Sequence, residues 1–144
     1  MALYTEVFDA FKAKILTDDW DGWSEAQQAI DLTALMESAI PYFKFPKVSL
    51  ARDGVQFTDT AFGTEEIQIL ATYMKVEWLE RTINSWENVK AQYDEKDFSQ
   101  ANFLDKLLKL LEVTRKKADK LQSNYHRSVA GAPFDYGRLA GDGS

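Results

Sequence analysis

The stretch "DDWDGWSEAQQ" (18–28) holds the side chains best suited to bind a divalent cation. Setting Gly22 at the sixth position of a calcium loop puts Asp19 and Asp21 at ligand positions. It also puts Thr17 first, where Asp belongs, and Gln28 last, where a bidentate Glu belongs. Both end ligands fail, so the stretch reads as an acidic loop whose Trp20 and Trp23 pack on neighbouring helices. His126 is the single histidine. It lacks the second nitrogen ligand or orienting carboxylate that a zinc site or catalytic triad requires. It falls at a helix C-terminus, where a cation is favoured anyway. The paired carboxylates Glu65 and Glu66, or Asp94 and Glu95, sit at helix starts and in polar connections. No phosphate loop, nucleophile elbow or dinucleotide fingerprint occurs. With no cysteine there is no thiolate nucleophile, thiolate metal site or disulfide framework. The residues point away from an enzyme and imply no cofactor or metal.

Binding is the better-supplied chemistry. The run "RKKADK" offers Arg115, Lys116, Lys117 and Lys120, but Asp119 interrupts it and Glu112 flanks it. It reads as a solvated helix face rather than a nucleic-acid site. The end of the chain, "SVAGAPFDYGRLAGDGS" from Ser128, combines backbone freedom at Gly131, Gly137, Gly141 and Gly143 with large side chains at close spacing. Phe134, Tyr136, Arg138 and Leu139 are residue types that anchor contacts with partners. The segment 128–144 is therefore expected to be an extended partner-binding tail.

The 144 residues fit one domain, and 45% apolar with 13% aromatic content is enough for a packed core. No apolar run approaches membrane-spanning length, and the N-terminus carries acids where a secretory leader carries cations. A soluble cytoplasmic protein is expected. The net charge of −6 argues against a dedicated nucleic-acid surface, though a channel that DNA passes without sticking remains compatible.

Helical periodicity dominates. Leu3, Val7, Phe11 and Ile15 predict a first helix. Ser24 with Gln27 three positions on is a capping box for a second, whose apolar side is Ile30, Leu32, Leu35, Met36, Ala39 and Phe43. Pro41 and Pro46 bracket its exit. Residues 47–58 switch to alternation: Val48 and Leu50, then Val55 and Phe57 across Asp53-Gly54. That is a hairpin, which must lie on the helices or pair with another chain. Thr64, Glu65 and Glu66 start a helix apolar on two sides, the central one of a bundle, with a break expected near Thr82 to Ser85. Ser99 is expected to cap the last helix, striped by Leu104, Leu107, Leu108, Leu111, Ala118, Leu121 and Tyr125. Phe103, Leu110 and Val113 widen its apolar arc beyond what one contact needs, which predicts a second neighbour. The fold expected is all-α: a four- or five-helix bundle over residues 1–127 with one inserted β-hairpin, then the tail.

The order of these parts resembles the small helical head–tail connector proteins (neck, adaptor or ring proteins) of tailed bacteriophages. The segments that carry the likeness are "ALYTEVFDAFKAKI", "AIPYFKFPKVSL" leading into the hairpin, "TEEIQILATYMKVEWLERTINSWENV" and "EKDFSQANFLDKLLKLLEVTRKKADKLQSNY" from Glu95 to Tyr125. The resemblance implies a virion structural protein, made in the host cytoplasm, that docks on the portal and on neighbouring neck or tail proteins. It also implies a homo-oligomeric ring, usually dodecameric in that family, around a channel for genomic DNA. The residues chosen for partner contacts are Phe134, Tyr136, Arg138 and Leu139 in the tail and Val48, Leu50, Val55 and Phe57 in the hairpin. A cytosolic helical module that recruits a partner through its tail is the alternative.

Overall fold

The computed structural model describes residues 2–15, 19–92 and 98–127, with side chains described over 2–15, 19–87 and 102–127. Its elements are β1 (Ala2–Leu3), α1 (Tyr4–Lys12), α2 (Glu25–Ala39), a 3-10 turn (Ile40–Tyr42), β2 (Gln56–Phe57), α3 (Thr64–Gln92) and α4 (Phe98–Arg127). Among the described residues the fold is a four-helix all-α assembly with a small antiparallel β-ribbon. No described helix is long and apolar enough to cross a membrane.

Local chemistry sets each start. Glu6 accepts the Leu3 N–H at 2.7 Å, which holds the entry to α1. At α2 the Ser24 hydroxyl accepts the Gln27 N–H at 3.2 Å and the Gln27 side chain accepts the Ser24 N–H at 3.3 Å, a complete capping box. Glu66 accepts the Gly63 N–H at 2.7 Å ahead of α3. α1 stops at Lys12, earlier than the Ile15 periodicity predicts. The N–H groups of Lys14 and Ile15 turn back to the carbonyls of Phe11 and Lys12, a tightened last turn.

α1, α2 and α4 each pack against α3. Six consecutive α3 residues, Ile69 to Met74, are buried, which only a helix enclosed from several sides can achieve. Val7, Phe11, Met36, Leu70, Met74 and Leu79 make the centre of the core. Trp20 closes one side: its ring meets Phe11 edge-on and its Nε1–H donates to Asp31 at 2.6 Å.

The helices depart from expectation at three further places. α3 runs unbroken through Thr82 to Ser85. Its apolar set changes phase there because its partners change: Arg81 still binds Asp31 of α2, but Trp86 beyond it meets Phe103 of α4. Ile30 is 72% exposed, because it is out of phase with the buried set Leu32, Leu35, Met36 and Ala39. Leu108 is 44% exposed on the flank of α4, whereas Leu104, Leu107 and Leu111 are buried.

The ribbon is also more specifically placed than alternation alone requires. Asp53 N–H donates to Gln56 O and Thr58 N–H to Ala51 O around the expected turn, with Gly54 at φ 95°. The outgoing limb, β2, then pairs with β1 of the same chain, Ala2 opposite Phe57 and Leu3 opposite Gln56. One ribbon edge is therefore covered internally.

The orientation of α4 can be tested directly. Leu111→Ala should cost about 2–5 kcal/mol as a large-to-small core change. Leu108→Ala, on the half-exposed flank, should cost no more than about 1 kcal/mol. Urea unfolding of the two variants checks this, and equal losses would contradict the assigned orientation.

Candidate functional site

One end of the molecule is a fixed platform built from the 42–47 loop and the end of α4. Gln122 lies at its centre. Its Nε2 donates to Tyr42 O at 3.2 Å and to the Tyr73 hydroxyl at 3.0 Å, while its Oε1 accepts the Lys44 N–H at 2.5 Å. Tyr73 in turn donates to Asp119 at 2.7 Å. Burial and then the Asp119 carboxylate push the Tyr73 phenol well above its ordinary range, so it stays a donor. The Tyr125 hydroxyl accepts the Lys47 N–H at 2.8 Å, and Lys47 Nζ donates to Tyr125 O at 2.5 Å, a cation on the carbonyl end of α4. Burial foremost pushes the Tyr125 phenol up to about 12, against the opposing Lys47 bond.

This network holds Phe45 where a bulky side chain rarely sits. Its φ is 54°, in the left-handed region, and it is 82% exposed. His126 flanks it, with Nε2 2.7 Å from Lys44 O and its ring edge-on to Phe45. Phe45 is thus an exposed aromatic whose position the surrounding backbone fixes in advance. Phe45 is absent from the residues that sequence pattern singles out. Its only signal there is a large aromatic between Lys44 and Pro46, in a segment without any period.

The hairpin residues divide. Phe57 is fully buried, stacked on Phe62 at 4.1 Å and tilted against Tyr4 at 5.5 Å, so it belongs to the core rather than to a partner surface. Val48 and Leu50 are partly buried against the same core. Val55 alone of the four is exposed, at the ribbon tip. Phe134, Tyr136, Arg138 and Leu139 lie outside the described residues, and Arg127 at the platform is the last residue before that segment.

Two further surfaces carry apolar side chains into solvent. On α2 and the turn before it, Trp23, Gln27, Ile30, Asp31 and Ala34 line an open groove of about 510 Å³. On α4, Phe103, Leu110 and Val113 form a ridge beside the core stripe, Val113 being 61% exposed. The ridge side chains are those whose surplus widens the apolar arc of the sequence. The two stretches of chain that carry these surfaces differ in net charge. Residues 19–39 carry Asp19, Asp21, Glu25, Asp31 and Glu37 and no Lys or Arg. Along α4, Lys106, Lys109, Lys117 and Lys120 make no ion pair among the described residues, while Arg115 pairs with Glu80 and Lys116 with Glu112. Lys117 also lies near Lys14 and Lys75. Burial and then the neighbouring lysines hold both of those amines below their ordinary range.

The chain matches no family model, no curated protein and no solved structure.

Asp31 is the one carboxylate lining the groove, and Arg81 pairs with it. Burial would raise the Asp31 carboxyl, but hydrogen bonds from Arg81 and Trp20, with the guanidinium charge, outweigh it and hold the carboxyl below its ordinary value. A depressed folded-state pKa means stability that is present above the unfolded value, near ~3.9, and is lost as pH falls through the folded value. Asp31→Asn should therefore lower the melting temperature at neutral pH and flatten its decline below about pH 4. Parallel melting curves for wild type and variant across that range would show that the Trp20–Asp31–Arg81 linkage contributes nothing.

Proposed function

We propose that this protein is a head–tail connector of a tailed bacteriophage, a virion structural protein that docks on the portal and joins the next neck or tail component. It would do so as a homo-oligomeric ring, dodecameric as the resemblance implies, through which the genome passes. The work is mechanical: a rigid protomer presents one surface to the portal, another to the tail side, and an acidic lumen from which DNA is repelled.

The observation that carries this reading is the platform. Two segments of the likeness, "AIPYFKFPKVSL" and the end of the Glu95–Tyr125 segment, are hydrogen-bonded to each other through Gln122 and Tyr125. Together they hold Phe45 outward beside His126, close to where the proposed tail begins at Ser128. A fixed, exposed aromatic is suited to anchor a docking contact.

The test is genetic and structural. A nonsense mutation in this gene should leave phage that package DNA but accumulate filled heads and unattached tails by electron microscopy. Phe45→Ala should leave the melting temperature within a few degrees of wild type, since the side chain is exposed. It should nevertheless reduce head–tail joining, because an aromatic anchor commonly contributes about 2 kcal/mol or more per contact. Complete, infectious particles from the nonsense mutant would overturn the reading.

A further inference from the structure

We propose that Lys14, Lys75 and Lys117 together bind a phosphate group on one flank of the seam between α3 and α4. The site lies within a single copy of the chain and stands whether or not that copy joins a ring.

The seam has two flanks, and its charges are sorted between them. α4 runs antiparallel to α3, with Tyr73 meeting Asp119 and Glu80 meeting Arg115. That register sets Lys117 level with Lys75. Lys75 is two residues from Tyr73, and Lys117 two from Asp119. Two residues turn a helix by about 200°, so both lysines lie on the opposite flank from the Tyr73–Asp119 pair. Gln68, seven residues before Lys75, shares its side of α3. Lys14 reaches this same side from just past α1. Its N–H donates to Phe11 O at 2.9 Å and its Nζ to Gln68 Oε1 at 2.7 Å. Side chains on a helix lean towards its N-terminus, which brings Lys75 back over the turn of Thr72 towards Gln68 and Lys14. Three separate helical segments thus send an ammonium group to one place.

No described carboxylate neutralises them. None of the three lysines has an ion pair among the described residues, and the acids of the seam, Glu80 and Asp119, are engaged on the other flank. Lys14 and Lys75 are half-buried, and Lys117 is exposed. Burial and then the charges of Lys117 and Lys75 hold the Lys14 amine below its ordinary range. Burial and then Lys117 do the same to Lys75. Partly desolvated like charges held close are costly, and an anion seated among them relieves that cost. An ammonium is a compact cation with three donors and no acceptor. Three of them arriving from different directions suit a phosphate group, with about two negative charges and three acceptor oxygens. A planar carboxylate carries one charge and would leave most of the repulsion in place.

The probe is inorganic pyrophosphate, titrated calorimetrically into the full chain in a low-salt chloride buffer. Saturable binding at one site is expected, with a Kd of about 1 mM or tighter. Lys75→Met and Lys117→Met should each weaken it roughly tenfold, the loss of one charge-assisted contact. Lys109→Met, about 12 Å along α4 from Lys117, should leave it unchanged. Without the probe, Lys75→Met should melt no lower than wild type, because it removes a repelling charge. No saturable binding, or equal binding by wild type and the Lys75 and Lys117 variants, would overturn the site. So would a lower melting temperature of the Lys75 variant in chloride alone, since that lysine would then stabilise the fold unaided. A short DNA duplex titrated in competition separates two sources of the phosphate. Displacement of the pyrophosphate would assign the site to backbone phosphates, and failure to displace it would assign the site to a free phosphate compound.

Discussion

The enclosure of α3 is the constraint on which the rest of the structure depends. A helix with Ile69 to Met74 buried in succession has no solvent face over that stretch, so one neighbour cannot suffice. α1, α2 and α4 are recruited to cover it, and each contributes only its inward side. Enclosure also obliges every polar group caught inside to find a partner. The Thr72 hydroxyl donates to Gln68 O at 2.7 Å, and Tyr73 donates to Asp119. Among the described residues no buried side-chain nitrogen or oxygen is left without a hydrogen bond.

What α3 demands inward determines what remains outward. The stripe that buries Leu104, Leu107 and Leu111 leaves Phe103, Leu110 and Val113 on the flank of α4. The phase that buries Leu32, Leu35, Met36 and Ala39 leaves Ile30 in solvent. The Tyr73 network extends the constraint to the platform. Through Gln122 it fixes the Tyr42–Lys44 backbone, and with it the strained position of Phe45. Packing, polar satisfaction and a presented surface are thus one chain of causes.

Much of this is legible in the residues. Ser24 and Gln27 announce the start of α2, and the two stripes of α3 announce its central place; the surplus on α4 predicts a second neighbour, whereas Phe103, Leu110 and Val113 stand exposed. Asp53-Gly54 marks the turn of the ribbon. Pairing in three dimensions is not legible: nothing local tells that Phe57 is opposite Ala2, or that Trp20 donates to Asp31. A change of apolar phase in α3 suggests a break, and a change of neighbour explains it equally well. Residue type alone places Ile30 in the core, whereas its phase along the helix argues otherwise; Leu108 is in phase by spacing with Leu104 and Leu111, and only the way α4 packs leaves it on the flank. Phe45 carries no periodic signal, since its conformation is imposed from far along the chain, as by Gln122, 78 residues from Lys44.

The proposed connector role is tested most directly by a cryo-electron microscopy reconstruction of the neck of the virion that this gene would serve. The expected result is a ring of this chain beneath the portal. Phe45 should lie at an axial contact with another component. A neck without this chain, or a ring in which Phe45 faces solvent, would contradict it.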